Sequence, residues 1–442
     1  MVAGLAWLGT TAAYGVEPTA PVGQLELGGQ PLSGDGRGST DRNSPTQLQP
    51  GLWRDTLGGT NGSEDIHYFE YHRAIADSTV HLGVIGSSAD PDGDGIGISA
   101  VAGPEETDCG SDTDSAPFGT AQGPFGAAVE VGPSEPDTRD GACLTADSLR
   151  IQVDRGSSSS ETELPVAIKV VEEAPVPVDA VADLPQPAEE LRYDVPADPA
   201  PSDVEAGETF DDAPLLEPGA DGLRFGLEVP EGDVRLVRLP VTWGQQVVAA
   251  AEVPAMDEAT LETVSFVTPT VDLRIVEPDR NTLTTYAEGE SSSGSYGADP
   301  QQLSVGTSPL RYLNRFDDTS PTLPGHYWVV VTVEPLAQDA DRDPLDVPVT
   351  LTVAVTGEPA GAPDYQPSIL GQGGAAAPDA YAAERPFLVG DDQFAAVASG
   401  SPASANGSDD DSWWGPRRYA GLGLGAVSLA LCALGGWRLA RR

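Results

Sequence analysis

The sequence predicts an all-β protein: two tandem β-sandwiches followed by one C-terminal transmembrane helix. Three observations carry this expectation. Gly (51) and Pro (40) make up roughly a fifth of the 442 residues, which interrupts the chain too often for long helices. Short β-rich runs bounded by Gly, Asn, Asp and Ser recur, and the same order of runs occurs twice. Near the C-terminus lies an uncharged stretch with the length of a membrane crossing.

In chain order, residues 1–14 form a short apolar stretch closing in Thr10-Thr11-Ala12-Ala13, the pattern of the apolar core and cleavage zone of a secretory signal peptide. The basic leader residues of such a peptide are missing, so the expectation is a partial signal peptide, with a buried N-terminal strand as the alternative. Residues 15–47 read as an N-terminal extended segment. The first β-sandwich is expected over 48–172, with strands in 48–57, 64–72, 79–84, 148–153 and 164–171. Residues 173–208 are dense in Pro, Ala, Asp and Glu and read as an acidic linker lying extended along a surface.

The second sandwich, 209–357, repeats the order: a Pro-Gly turn at Pro218-Gly219, a strand, an Asp-led strand and a further strand. Its closing run places Val349, Leu351, Val353 and Val355 at alternate positions, the period-2 signature of a strand with one buried face. Residues 358–412 are low in complexity and read as a stalk, about 40 Å long as a flexible coil and about 170 Å if fully extended. The uncharged run 419–437 follows, with Trp413, Trp414, Arg417 and Arg418 before it and Arg438, Arg441 and Arg442 after it. It reads as a single transmembrane helix with a cytoplasmic Arg tail at 438–442; a buried core helix is the alternative.

Charge excludes one class of partner. With 69 acidic and 23 basic residues the chain carries −46, and no basic surface able to neutralise nucleic-acid phosphates can be assembled from it. Cys109 and Cys143 fall in the exported part and Cys432 in the apolar run. A disulfide between Cys109 and Cys143 suits an exported domain; two free thiols are the alternative.

Three segments carry a resemblance: Gly-Asp-Val-Arg-Leu-Val-Arg-Leu-Pro-Val at 232–241, Val-Asp-Leu-Arg-Ile-Val-Glu-Pro-Asp at 271–279 and Pro-Gly-His-Tyr-Trp-Val-Val-Val at 324–331. They resemble the bacterial pre-peptidase C-terminal domain, which implies a small jelly-roll-like β-sandwich of the kind attached to secreted enzymes and surface proteins. The resemblance spans 48–172 and 209–357. The whole plan is similar to that of membrane-anchored surface proteins of actinobacteria, and the presence of a single Lys, Lys169, agrees with that source.

Few motifs point to chemistry. Asp90, Asp92 and Asp94 alternate ahead of Gly95 as in calcium loops, because Ca²⁺ takes several oxygens from one tight turn. The loop is incomplete: position twelve is Val101 where an EF-hand has Glu, although Asp112 and Asp114 lie on a neighbouring segment. An acidic hairpin turn explains the same residues. His67, His72, His81 and His326 are the only histidines; His67 and His72 are five residues apart, which on a strand sends them to opposite faces. No Gly-x-Ser-x-Gly occurs, and Trp243, Tyr327 and Trp328 alternate as strand core residues do. The expectation is therefore a non-enzymatic, single-pass surface protein with no catalytic residues and no cofactor beyond Ca²⁺. Its sandwiches would contact an envelope protein or polysaccharide. The alternatives are a Ca²⁺-dependent carbohydrate-binding module and a divergent hydrolase.

Overall fold

A computed structural model describes residues 25–399 except 35, 61, 63, 89–92, 117–122, 139, 157, 159, 265–267, 318–320, 335–343 and 366–380. The expected signal peptide 1–14, transmembrane helix 419–437 and Arg tail 438–442 lie outside the described residues. Among the described residues no helix is long and apolar enough to cross a membrane. Only three short α-helices occur among them, α1 (Ala142–Thr145), α2 (Val178–Val181) and α3 (Glu258–Thr263), so the all-β expectation holds for this part of the chain.

In the first sandwich, one sheet runs β1 (Gln30–Pro31), β3 (Gly51–Leu57), β10 (Leu164–Glu173), β5 (Thr79–Ser87) and β8 (Pro124–Val131). Its partner sheet runs β2 (Thr46–Leu48), β4 (Ile66–His72), β9 (Ser148–Asp154), β6 (Asp94–Ala102) and β7 (Thr107–Ala116). In the second sandwich, one sheet runs β11 (Ala200–Pro201), β12 (Leu223–Pro230), β20 (Asp346–Thr356), β14 (Gln246–Val253) and β18 (Gln301–Gly306). Facing it are β13 (Val234–Val241), β19 (Gly325–Val333) and β15 (Thr270–Val276), with β16 (Thr282–Leu283) and β17 (Ser293–Ser295) on the outer edge of β15.

The strand order is the same in both. Small details repeat with it. The parallel pair Gln30 with Trp53 matches Ala200 with Leu223, each 23 residues apart, and the antiparallel bridge Ser39 to Tyr68 matches Gly207 to Leu236, each 29 apart. Alternation sets what each strand buries: Phe69 and Tyr71 of β4, Leu149, Ile151 and Val153 of β9, and Val166, Ile168 and Val170 of β10 fill the first core.

The sandwiches are not beads on a tether. The outward face of the β3 sheet, with Leu52, Ile85 and Ala167, packs on the outward face of the β13 sheet, with Val234, Leu236, Val276, Trp328 and Val330. Leu25, Leu27, Phe210 and Ala213 complete this second apolar cluster. The result is four stacked layers. Two glycines allow the close approach: a Cβ on Gly83 of β5 would lie 1.8 Å from the Asp279 carbonyl oxygen, and one on Gly126 of β8 would lie 2.1 Å from that of Arg280. The turn at 279–280 thus sits on bare backbone of the neighbouring sandwich, with Arg280 in the left-handed region at φ 81°.

Three expected boundaries change. Residues 25–47, expected as a loose extended segment, bury Leu25, Leu27 and Leu32 and supply β1 and part of β2. The linker reading of 173–208 stops being apt at its ends, where Glu173 is buried and Ala200–Pro201 pairs with β12. The stalk reading of 358–412 fails for residues 381–399, which form a hairpin of β21 (Phe387–Gly390) and β22 (Gln393–Ala395). In it Phe387, Leu388 and Val389 are buried and β21 pairs with the end of β10. The reason is local: a Phe-Leu-Val run before Gly390-Asp391-Asp392 has strand and turn character that the surrounding low complexity hides.

Candidate functional site

The residues singled out by sequence have mostly structural roles. Cys109 of β7 and Cys143 of α1 form a disulfide with Cα atoms 5.4 Å apart, closing 34 residues at the sheet edge. Asp90 and Asp92 lie outside the described residues. Asp94 is buried, and its Oδ1 accepts from Arg155 Nε at 3.0 Å, Arg155 Nη2 at 2.6 Å and the Ser158 hydroxyl at 2.8 Å. A guanidinium on that oxygen stands where a cation would, so Asp94 serves as a structural anion.

Asp112 and Asp114 are engaged elsewhere, by donors of β8. Asp112 accepts from Ala128 N–H at 3.0 Å, and Asp114 from Gly126 N–H at 2.9 Å and from the Thr282 hydroxyl at 2.5 Å. They satisfy donors of β8, and Asp114 ties the two sandwiches together. Among the described residues no group of three or more His, Cys, Asp or Glu side chains is placed to hold a metal ion. His67 is buried against Asp55 at 2.6 Å, and His72, on the opposite face of β4, is exposed. Trp243, Tyr327 and Trp328 are core residues as expected.

What the sequence reading missed lies between the sandwiches. Glu173, at the end of β10, accepts from His81 Nε2 at 2.8 Å, Arg315 Nη2 at 2.9 Å and the Tyr365 hydroxyl at 2.6 Å. Arg315 also pairs with Glu130 at 3.1 Å and lies over the Tyr312 ring at 3.9 Å. Burial alone would raise the Glu173 pKa; Arg315, His81 and Tyr365 outweigh it and hold the carboxyl at about 2. Nearby, burial and Arg280 lower Lys169 to about 7. The Arg280 guanidinium lies between the Phe210 and Trp328 rings, 4.2 and 4.3 Å from their centroids. Nothing in the sequence ties these positions together, because the cluster draws on β10, β5, β8, a 3₁₀ turn (Tyr312–Phe316) and the segment after β20. Glu173, His81 and Arg315 are each about 1% exposed, so this cluster fastens layers and offers no surface to a substrate.

Open surface is found on the outward face of the β12 sheet. A groove of about 840 Å³ crosses β12, β20, β14 and β18 between Glu228 and Gln301–Gln302, with Gly226 and Thr350 in its lining and Pro254, Pro300 and Pro348 beside them. Alternation puts Glu228, Thr350, Glu252 and Gln302 outward, opposite the core positions Leu227, Val349 and Val253, whereas Gln301 pairs with Val253 and turns to the inner side. Glu252 is held by Arg224 at 2.7 Å. Further along the same face the linker crosses it: the Tyr193 hydroxyl lies 3.0 Å from Ser304 Oγ and accepts from Ala287 N–H at 3.1 Å, while Gln246 Nε2 donates to the Arg192 carbonyl at 3.2 Å.

No family model and no curated protein matches the chain. Among solved structures it is similar to PNGF-II, at 9% identity over 71% of this chain and 63% of that one, with a TM-score of 0.18. It is also similar to the CBM22-1–CBM22-2 tandem domain of Paenibacillus barcinonensis Xyn10C, at 10% identity over 70% and 92% of the two chains, TM-score 0.17. A third likeness is the ANX1 ectodomain of Arabidopsis thaliana, at 8% identity over 71% and 92%, TM-score 0.18. The chain spans less than two thirds of the length of PNGF-II. At TM-scores this low, these likenesses carry no argument about function.

Proposed function

We propose that the chain is a non-enzymatic, single-pass cell-surface protein, with a head of two fused β-sandwiches held outside the membrane to engage another envelope component. The observation that carries this reading is the Cys109–Cys143 disulfide, since such bonds persist in oxidising compartments and are rare in the cytosol. Two features of the chain agree with it. The apolar run 419–437 with its flanking aromatic and Arg residues has the makeup of a membrane anchor, and the charge of −46 keeps an exposed head soluble. The buried titratable groups around Glu173 are paired with one another between the sandwiches, which agrees with a fastening role for them.

Protease treatment of intact cells making the full chain tests the placement. The expected result is loss of the head from the outside, with a small C-terminal fragment kept in the membrane fraction. A protected, full-length chain in the soluble cytosolic fraction overturns the reading.

A further inference from the structure

The outward face of the β12 sheet is half covered and half open, and the covered half shows what it accepts. Tyr193 lies against Gly306, where a Cβ would come within 2.2 Å of a ring carbon. Its hydroxyl joins a chain of hydrogen bonds: the Ala287 N–H donates to it, it meets Ser304 Oγ, and Ser304 Oγ donates to Glu290 Oε2 at 3.0 Å. A flat six-membered ring therefore rests on bare backbone, with its hydroxyl held between a backbone N–H and the Ser304 hydroxyl, which is itself anchored on Glu290.

The open groove offers the same elements without a ring in them. Gly226 leaves bare backbone in the lining, with nothing within 4 Å of where its Cβ would be. Around it stand the Thr350 hydroxyl, the Gln302 amide and the Glu228 and Glu252 carboxylates. Amides and carboxylates pair well with adjacent hydroxyls, since each presents two acceptors, or an acceptor beside donors, on one plane. The volume of about 840 Å³ lies within the range of small-molecule sites.

Other ligand classes fit less well. Two carboxylates against one guanidinium repel an anionic polymer. An extended peptide bound by strand addition needs unpaired backbone groups, yet across the groove floor β14 is laddered to β18 and, as far as Thr350, to β20, and β20 to β12, which leaves only the outer edges of β12 and β18 for such a partner. We infer that this groove binds a neutral glycan, with a sugar ring over Gly226 and its hydroxyls on Glu228, Thr350 and Gln302. The assignment rests on the surface reading, which is what would bring envelope polysaccharide within reach.

The test is calorimetric titration of the purified full chain in detergent with cellohexaose, xylohexaose, mannohexaose and maltohexaose. The expected result is saturable binding of at least one. Gly226→Phe fills the groove floor from a position with open space, and is expected to weaken that binding at least about tenfold with the unfolding temperature unchanged. Gln152→Ala, on the outward face of the first sandwich, leaves binding intact. No heat with any of the four sugars from a folded chain overturns the assignment, as does binding that Gly226→Phe leaves unchanged. Binding of a deca-arginine peptide that Gly226→Phe abolishes, with no sugar bound, overturns it in favour of a basic partner. Proteolysis of intact cells reads placement separately, so a chain that is cleaved from outside but binds no sugar fails on ligand class alone.

Discussion

Strands β10 and β20 occupy the same place in their sandwiches, and their differences show what fusing two modules requires. Toward the core they are alike: Val166, Ile168 and Val170 in one, Leu351, Val353 and Val355 in the other. Their outward faces diverge. Pro165, Ala167, Lys169 and Val171 look toward the second sandwich, whereas Thr350, Thr352, Ala354 and Thr356 look toward the groove and its surroundings. The opposite sheets diverge in the same sense, since β13 turns Val234 and Leu236 into the interface where β4 turns Ile66 and Tyr68 outward. One copy of each sheet face has become glue and the other a polar cap, as end units of stacked repeats require.

Removing the staple breaks this comparison hardest, because only the first sandwich has one among the described residues. Cys109→Ser with Cys143→Ser is expected to cost about 4 kcal/mol in urea unfolding, from a loop of 34 residues. Next comes the interface. Gly83→Val collides with the Asp279 carbonyl and is expected to cost about 3 kcal/mol, while Gly226→Val in the open face costs less than about 1 kcal/mol. Equal losses at both sites would mean that the two sandwiches do not share a core.

Titration sharpens the contrast further. Glu173 has its pKa depressed from 4.5 to about 2, so its contribution is complete above pH 4.5 and is lost as pH falls toward 2. Glu173→Gln is expected to flatten the fall in unfolding temperature between pH 4.5 and pH 2. Lys169 gives the same sign of pH slope, but as a destabilising group. Its pKa is depressed from 10.5 to about 7, so between those values the unfolded chain binds more protons and stability rises with pH. Lys169→Met is expected to stabilise by about 1 kcal/mol at pH 6, with the gain shrinking toward pH 10. A gain that is the same at both pH values removes the buried-charge explanation.

The strands were legible because each sandwich has one face in its own core, and a single buried face writes a period of two, as at Val349 to Val355. The docking of the sandwiches was not. A strand buried on both faces, such as Leu164–Glu173, loses alternation and reads only as β-rich. Gly83 and Gly126 look like ordinary strand glycines until the partner turn is placed on them. Asp112 and Asp114 read as further ligands for the Asp90–Asp94 loop because sequence gives spacing without direction, and both point inward to β8 amides. The groove escaped notice for the same reason: Glu228, Glu252 and Gln302 are far apart in sequence and meet only across four strands.

The hairpin after β20 returns to the first sandwich, and the residues that follow it touch the second one again. It holds β10 by just two paired positions, Glu172 with Leu388 and Glu173 with Phe387. After the hairpin the chain is tied to the second sandwich, through Ala398 N–H to the Pro324 carbonyl at 2.8 Å and His326 N–H to the Ser399 hydroxyl at 2.7 Å, so a pull on the C-terminal side would load these two bonds before it reached the short ladder on β10. Only after both had parted would the Glu173 carboxylate and its cationic partners be uncovered, so the hairpin works as a clasp that bridges the seam of the head.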